Sequence, residues 1–110
     1  MPIPANVIIS RTDSIGDVVL TLPLAAVLKK EYPLVKIGFM GRAYTKAVIE
    51  CSKYVDEFID VNDFLNKPVT VCGQQPDTII HVLPDAVIAK RAKQNYPLNR
   101  WMLLFIIMDG

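Results

Sequence analysis

The chain has 110 residues, 52% of them hydrophobic and 21% charged, with 12 Lys and Arg against 11 Asp and Glu for a formal net charge of +1. That length holds one core rather than two, and the composition excludes a disordered or collagen-like chain. The near-neutral balance supplies no overall field to gather nucleic acid or an acidic membrane. The longest unbroken apolar run, "WMLLFIIM" from Trp101 to Met108, falls well short of the roughly 20 residues that a membrane-spanning helix needs.

"NVIIS" (Asn6 to Ser10) is a β-branched run without polar alternation, which predicts a strand covered on both faces. A helical stretch follows between Asp17 and Glu31. Because Pro23 cannot sit deep in a straight helix, either Thr21 caps a helix that begins beside the proline or an earlier first turn kinks there. "VKIGFMG" (Val35 to Gly41) predicts a second strand. Tyr44, Ala47, Val48 and Cys51 then recur at the i, i+3, i+4, i+7 spacing of an amphipathic helix.

"EFIDV" (Glu57 to Val61) predicts a third, shorter strand running into the turn-rich "NDFLNKP", and "DTIIHVLP" (Asp77 to Pro84) a fourth. Asp85 is placed to cap a helix whose Ile88, Ala89 and Ala92 face the sheet up to about Gln94. Strands and helices alternating at these lengths imply a parallel sheet with right-handed crossovers, an α/β domain. "WMLLFIIMDG" has the look of a buried fifth strand with no following element to cover it.

Cys51 and Cys72 lack metal-ligand spacing and are expected to be free buried thiols. Lys29, Lys30, Lys90, Arg91 and Lys93 are expected at helix ends, where cations complement the macrodipole. The N-terminus has neither the basic region nor the cleavage site of a secretory signal, so the chain reads as cytoplasmic.

The chemistry concentrates where the first strand ends. "RTDSIGDVVLTLP" (Arg11 to Pro23) places Asp13 and Asp17 at a strand-to-helix junction, the usual ligand-binding edge of an α/β domain. An Asp at a helix N-terminus is stabilised there by the dipole whatever else it does. Gly16 between the two acids points either to a positive φ or to close approach of another group. No phosphate-binding G-x-x-x-x-G-K-[ST] or G-x-G-x-x-G follows the first strand.

The same stretch resembles the N-terminal signature of glycosyltransferase family 9, the ADP-heptose:lipopolysaccharide heptosyltransferases, written R-x-D/S-x-I/M-G-D-V-x-x-T-x-P. Here the pattern is carried by Arg11, Asp13, Ile15, Gly16, Asp17, Val18, Thr21 and Pro23. The likeness continues through "LKKEYPLVKIGFMG", "YVDE" (Tyr54 to Glu57) and "DTIIHVLPDAVIAKRAK", spanning about residues 6 to 98.

The resemblance implies a three-layer Rossmann-like domain with a mainly parallel sheet, the N-terminal, acceptor-side half of a two-domain GT-B enzyme that transfers heptose with inversion. It implies that Asp17 is the general base toward an acceptor hydroxyl, since a carboxylate in hydrogen-bond reach can take that proton as the C–O bond forms. Asp13 stands where the family has Ser or Asp, and would form an Asx-type turn or line the acceptor cleft. Ser14 and Gly16 would shape the loop. Arg42 either meets acidic groups of the acceptor or begins a solvated helix, and His81 is either a core or rim histidine or an acceptor contact.

No metal-ligand cluster and no cofactor are expected. The implied partners are the lipopolysaccharide inner-core acceptor and, through a C-terminal half, the donor ADP-heptose. A peripheral seat on the inner face of the cytoplasmic membrane goes with that acceptor, and no nucleic acid is expected. The donor-side lysine and Asp-Thr/Ser-Gly segment do not occur, and the resemblance stops near Arg100. A truncated or frame-shifted product, inactive by itself, is therefore the expectation.

Two other classes compete with this reading. A receiver-like signalling domain shares the size, with Asp60 as its candidate phospho-acceptor, but "SRTDS" separates the acids from the first strand and no Lys follows the fifth. A stand-alone α/β interaction protein without catalysis would account for the apolar C-terminus.

Overall fold

The structure, a computed structural model, describes residues 4–82, 86–95 and 100–103. In chain order the elements are β1 (Asn6–Ser10), α1 (Ile15–Thr21), α2 (Pro23–Glu31), β2 (Lys36–Gly41), a 3-10 turn (Ala43–Thr45), α3 (Lys46–Glu50), β3 (Glu57–Asp60), α4 (Val61–Asn66), β4 (Thr78–His81), α5 (Ala86–Asn95) and β5 (Arg100–Leu103). The five strands form one parallel sheet in the order β3-β2-β1-β4-β5. This is the dinucleotide-fold order, and it differs from the 2-1-3-4-5 order of receiver-type domains. Sequential strands run outward from β1 in both directions, so a crevice opens at the carboxyl ends of β1 and β4.

Alternation along β1 divides the core between two layers. Val7 and Ile9 face a cluster with Val18, Ala25, Ile37, Phe39 and Ile49, under α1, α2 and α3. Ile8 faces the opposite cluster with Met40, Ile59, Phe64, Val71, Ile79, Ile88 and Ala92, under α4 and α5. Burial on both sides explains why "NVIIS" carries no polar alternation. The expected three-layer α/β domain is therefore present.

The helix after β1 starts earlier than Asp17 and is split in two. Ser14 is its N-cap, and of the two expected arrangements the kinked one forms, with Leu22 still helical (φ −54°, ψ −35°) between α1 and the first residue of α2, Pro23. Proline offers no N–H to the carbonyl of Val19 four residues back, so the helix breaks there. Thr21, the other candidate cap, instead donates its hydroxyl to the Asp17 carbonyl at 2.8 Å.

Four expectations need correction. "NDFLNKP" begins as helix rather than turn, and Val61 belongs to it. Asp60 caps α4 by accepting the Asn62 N–H at 2.8 Å, and Val61 and Phe64 are buried one turn apart. The face of α3 is displaced by one residue: Thr45 and Ile49 are buried, while Tyr44, Ala47 and Cys51 are exposed. A 3-10 turn of about 3.0 residues precedes the helix and shifts its phase from a uniform 3.6 repeat.

Both cysteines are free as expected, yet exposed rather than buried. Cys72 and Gly73, at φ +50° and +80°, form the two-residue turn between bridged Val71 and Gln74, where both central positions need positive φ. Lys90 and Arg91 lie mid-helix in α5, and Arg91 donates through Nε to the Phe64 carbonyl at 3.2 Å. Lys29 and Lys30 do occupy the last turn of α2.

Ile88 and Ala92 face the core as expected. The cap assigned to Asp85 lies outside the described residues. The fifth strand is present as Arg100–Leu103, paired with β4 at the sheet edge. Among the described residues no helix is long and apolar enough to cross a membrane.

Candidate functional site

The loop from Arg11 to Ser14 leaves the sheet at the end of β1 and is held from several sides. The Arg11 N–H donates to the Met40 carbonyl at 3.1 Å, extending the ladder one residue past the strand. Arg42, directly after β2, donates Nε to the Thr12 carbonyl at 2.7 Å. The Tyr44 hydroxyl donates to the Asp13 carbonyl at 3.0 Å. These contacts tie the loop after β1 to the end of β2 and the segment after it, so two adjacent strand ends share one rim.

The side chains at this rim form a charged cluster. Arg11 is buried, its side chain 7% exposed, and grips Asp13 with Nε to Oδ1 at 2.7 Å and a terminal nitrogen to Oδ2 at 2.8 Å. That terminal nitrogen also lies 3.4 Å from Asp17 Oδ1. Ser14 Oγ donates to Asp17 Oδ2 at 2.7 Å and accepts, more loosely, the Asp17 N–H at 3.4 Å. Asp17 sits in the first turn of α1, where the dipole also favours a carboxylate.

The Ser14 hydrogen bond, then the contact with Asp13, outweigh desolvation and with the Arg11 charge hold the Asp17 carboxyl below its ordinary value. Asp17 is therefore ionised across the neutral range. The guanidinium of Arg11 is in turn held above its ordinary value, first by the hydrogen bond to Asp13. An ionised, half-exposed carboxylate with one oxygen hydrogen-bonded and the other facing a cation can accept a proton from a hydroxyl brought to it.

Asp13, Ser14, Gly16 and Asp17 are thus together on one loop and helix start, and Arg42 touches the same loop. Gly16 requires correction. It lies inside α1 with ordinary helical φ, and a Cβ built on it would meet nothing within 4 Å, so nothing within the chain demands glycine there.

His81 stands apart from this group. It is buried at the end of β4 in register with Ser10, and alternation puts it on the sheet face of Ile8 and Ile79, opposite Val18 of α1. Asp60, the candidate phospho-acceptor of the competing receiver-like reading, caps α4. Among the described residues no group of three His, Cys, Asp or Glu is placed to hold a metal ion.

A cavity of about 240 Å³ opens beside the rim, lined by Thr12, Arg42, Val61, Asn62, Leu65, Val87 and Ile88. Its walls come from the segments that follow β1, β2, β3 and β4, the position where open α/β sheets bind ligands. Thr12, Tyr44 and Asn62 were not expected as site residues from the sequence. Tyr44 fell on the wrong face of α3, and Asn62 within the supposed turn.

A crystal structure of a family 9 glycosyl transferase from Veillonella parvula DSM 2008 is similar to this chain with a TM-score of 0.74 and 19% identity. The likeness covers 98% of this chain and 35% of that one. The likeness fixes the fold. A second solved structure, TarJ from S. aureus, matches at a TM-score of 0.47 and 14% identity over 92% of this chain and 36% of its own, too loosely to bear on fold or function. No family model matches the sequence, and no curated protein matches it. The chain thus spans about a third of the length of either structural neighbour.

Proposed function

We propose that this chain is the acceptor-side half of an inverting glycosyltransferase, with Asp17 as the general base. The observation that carries this reading is the Asp17 carboxylate, ionised, hydrogen-bonded by Ser14 and paired with Arg11 just past the carboxyl end of β1. The fold shared with the Veillonella glycosyl transferase supports it, as does the loop motif.

In the reaction the acceptor hydroxyl gives its proton to an Asp17 oxygen while its oxygen bonds to the anomeric carbon on the face opposite the leaving group. The anomeric C–O bond breaks, and the nucleoside diphosphate departs with the electron pair. A depressed pKa makes Asp17 a permanently ionised but weak base. Covering the rim with the donor-side half and the substrates removes water from Asp17, which raises its pKa toward the proton it must take.

The donor is ADP-heptose and the acceptor the lipopolysaccharide inner core, both by resemblance of the loop to family 9. Asp13, Ser14 and Gly16 border the acceptor, Arg42 meets its acidic groups, and His81 supports the crevice from β4. Transfer requires the two reacting atoms to be held about 3–3.5 Å apart, so the donor half must be present for turnover.

Titration of the 110-residue chain with an inner-core oligosaccharide should shift the amide resonances of Thr12 to Asp17 and Arg42; shifts confined to other surfaces would count against the acceptor site. In a two-domain protein that contains this sequence, Asp17→Asn should leave acceptor KM near its original value and lower kcat by roughly 10²–10⁴. Near-normal turnover would remove Asp17 from the mechanism.

A further inference from the structure

We propose that Arg11 is a positioning residue, the buried fixed point that sets the orientation of the Asp17 carboxylate. The inference deepens the general-base reading and rests on it for its catalytic meaning. Nothing in the motif says what Arg11 does, and an arginine after a buried strand is unremarkable in sequence. Its place in the fold is less ordinary. The guanidinium is sealed in the domain with its side chain 7% exposed, while both acids it faces reach the surface, at 27% and 37%.

The geometry uses the planar fork of arginine. Two parallel N–H bonds to Asp13 at 2.7 and 2.8 Å fix the plane of the guanidinium, and that plane puts the same terminal nitrogen 3.4 Å from Asp17 Oδ1. Ser14 holds the other oxygen, Oδ2, at 2.7 Å. The carboxylate is therefore hydrogen-bonded at one oxygen through the helix cap and faces the guanidinium charge at the other. Each oxygen keeps lone pairs for an incoming proton.

A lysine would supply the charge without the plane. The anchor itself cannot drift, because the Arg11 N–H is bonded to Met40 and the following loop is tied down by Arg42 and Tyr44. Asp13 plays the intermediate part: it compensates the buried cation, which would otherwise be costly, and keeps it from closing fully onto Asp17.

The charged and titratable groups around Asp17 are Arg11 and Asp13 from the loop after β1, and Arg42 and Tyr44 from the segment after β2. Lys46 and Glu50 lie on α3, which packs on α1, and His81 ends β4. Among the described residues, Arg11 and Asp13 are the charged groups that act on the Asp17 carboxylate.

The test is carboxyl NMR on the 110-residue chain, following the Asp17 titration midpoint and its χ1 couplings in Arg11→Gln and Arg11→Lys. With Arg11→Gln the Asp17 midpoint should rise and the side chain should average over rotamers. Arg11→Lys should bring the midpoint part of the way back without restoring a single rotamer. A folded variant in which midpoint and rotamer both match the parent overturns the proposal.

Should neither variant give a native amide spectrum, Asp13→Asn carries the test from a half-buried surface position. Relieved of its anion, Arg11 should turn to Asp17 and change the Asp17 χ1 couplings, and unchanged couplings there are equally fatal. These readouts need no transfer reaction, so failure of Asp17→Asn to slow a two-domain enzyme would overturn the general base and leave the positioning standing, and the reverse holds too.

Discussion

Arg11 and Asp13 are two residues apart in sequence and form a two-point ion pair, 2.7 Å and 2.8 Å, with the cation inside the domain and the anion at its rim. An exposed pair of this kind contributes little. Here the cation is buried, so removing the anion leaves a desolvated charge whose nearest remaining partner is Asp17 at 3.4 Å. Asp13→Ala should therefore destabilise the chain by about 1–3 kcal/mol, the range for losing hydrogen bonds to a buried charge. Ser14→Ala, which loses the helix cap and an exposed hydrogen bond to Asp17, should cost about 1 kcal/mol or less. Urea unfolding of the two variants side by side checks the order, and equal midpoints would mean that Arg11 draws little from Asp13.

Gly16 gives the opposite kind of prediction. It lies within α1 with open space in front of it, so Ala at this position meets no neighbour and gains helix propensity. Gly16→Ala should raise stability by about 0.5–1 kcal/mol, seen as a higher thermal midpoint. If the acceptor lies against this turn, the added methyl should weaken oligosaccharide binding at the same time. A variant that is both more stable and unchanged in binding would leave Gly16 without a part in the site.

What the sequence could show, and what it hid, follows from how far each signal reaches along the chain. β1 was legible because its central Val7, Ile8 and Ile9 are buried on alternating faces with no polar residue between them, and the break at Pro23 follows from proline chemistry alone. The start of α1 was hidden by the second acid. Attention to Asp17 placed the helix there, while Ser14 three residues earlier does the capping.

α4 was hidden because a six-residue helix offers only one repeat, Val61 to Phe64, inside a run of residues that otherwise favour turns. The phase of α3 depends on a 3-10 turn that no periodic pattern encodes. At the site, residue type pointed to the acids. It could not show that Arg11 is buried or that Tyr44 reaches back to Asp13, since both facts arise from the packing of β1 against β2.

Gly41, at the end of β2, is a glycine that the packing does require. A Cβ there would stand 2.8 Å from Thr45 Oγ1, 3.0 Å from Ile49 Cδ1 and 3.4 Å from the Arg11 carbonyl. Thr45 cannot swing aside freely, because its hydroxyl donates to the Arg42 carbonyl at 2.7 Å. Gly41→Ala should then cost about 1–3 kcal/mol by overpacking. The strain bears on the rim that holds the loop, so the amide resonances of Arg11 to Asp13 should move more than those of β3. A stability loss with resonances unchanged at the rim would show that α3 alone absorbs the methyl.

The last prediction concerns acid and lies away from the site. Lys29, in the last turn of α2, donates Nζ to the Val35 carbonyl and to Asp56 Oδ2, both at 2.7 Å, and the same Asp56 oxygen accepts the Ile37 N–H at 2.8 Å. One carboxylate thus ties the helix end to the start of β2 and the approach to β3. Desolvation pushes the Asp56 pKa up, but the Lys29 hydrogen bond, the Ile37 N–H and the charges of Lys29 and Lys36 outweigh it, and the group ends below its ordinary value of 3.8. A carboxyl whose native pKa is depressed stabilises the fold above its unfolded pKa and loses that contribution as pH falls through the native one. The clamp should therefore act fully at neutral pH and fade below about pH 4. Asp56→Asn should lower stability at pH 7 by about 1 kcal/mol, and the gap from the parent should shrink as pH falls through the carboxylate range. Urea midpoints measured at pH 7 and at several points below pH 4 decide it: a gap that stays constant with pH would mean that shape, not the charge on Asp56, holds α2 to the sheet.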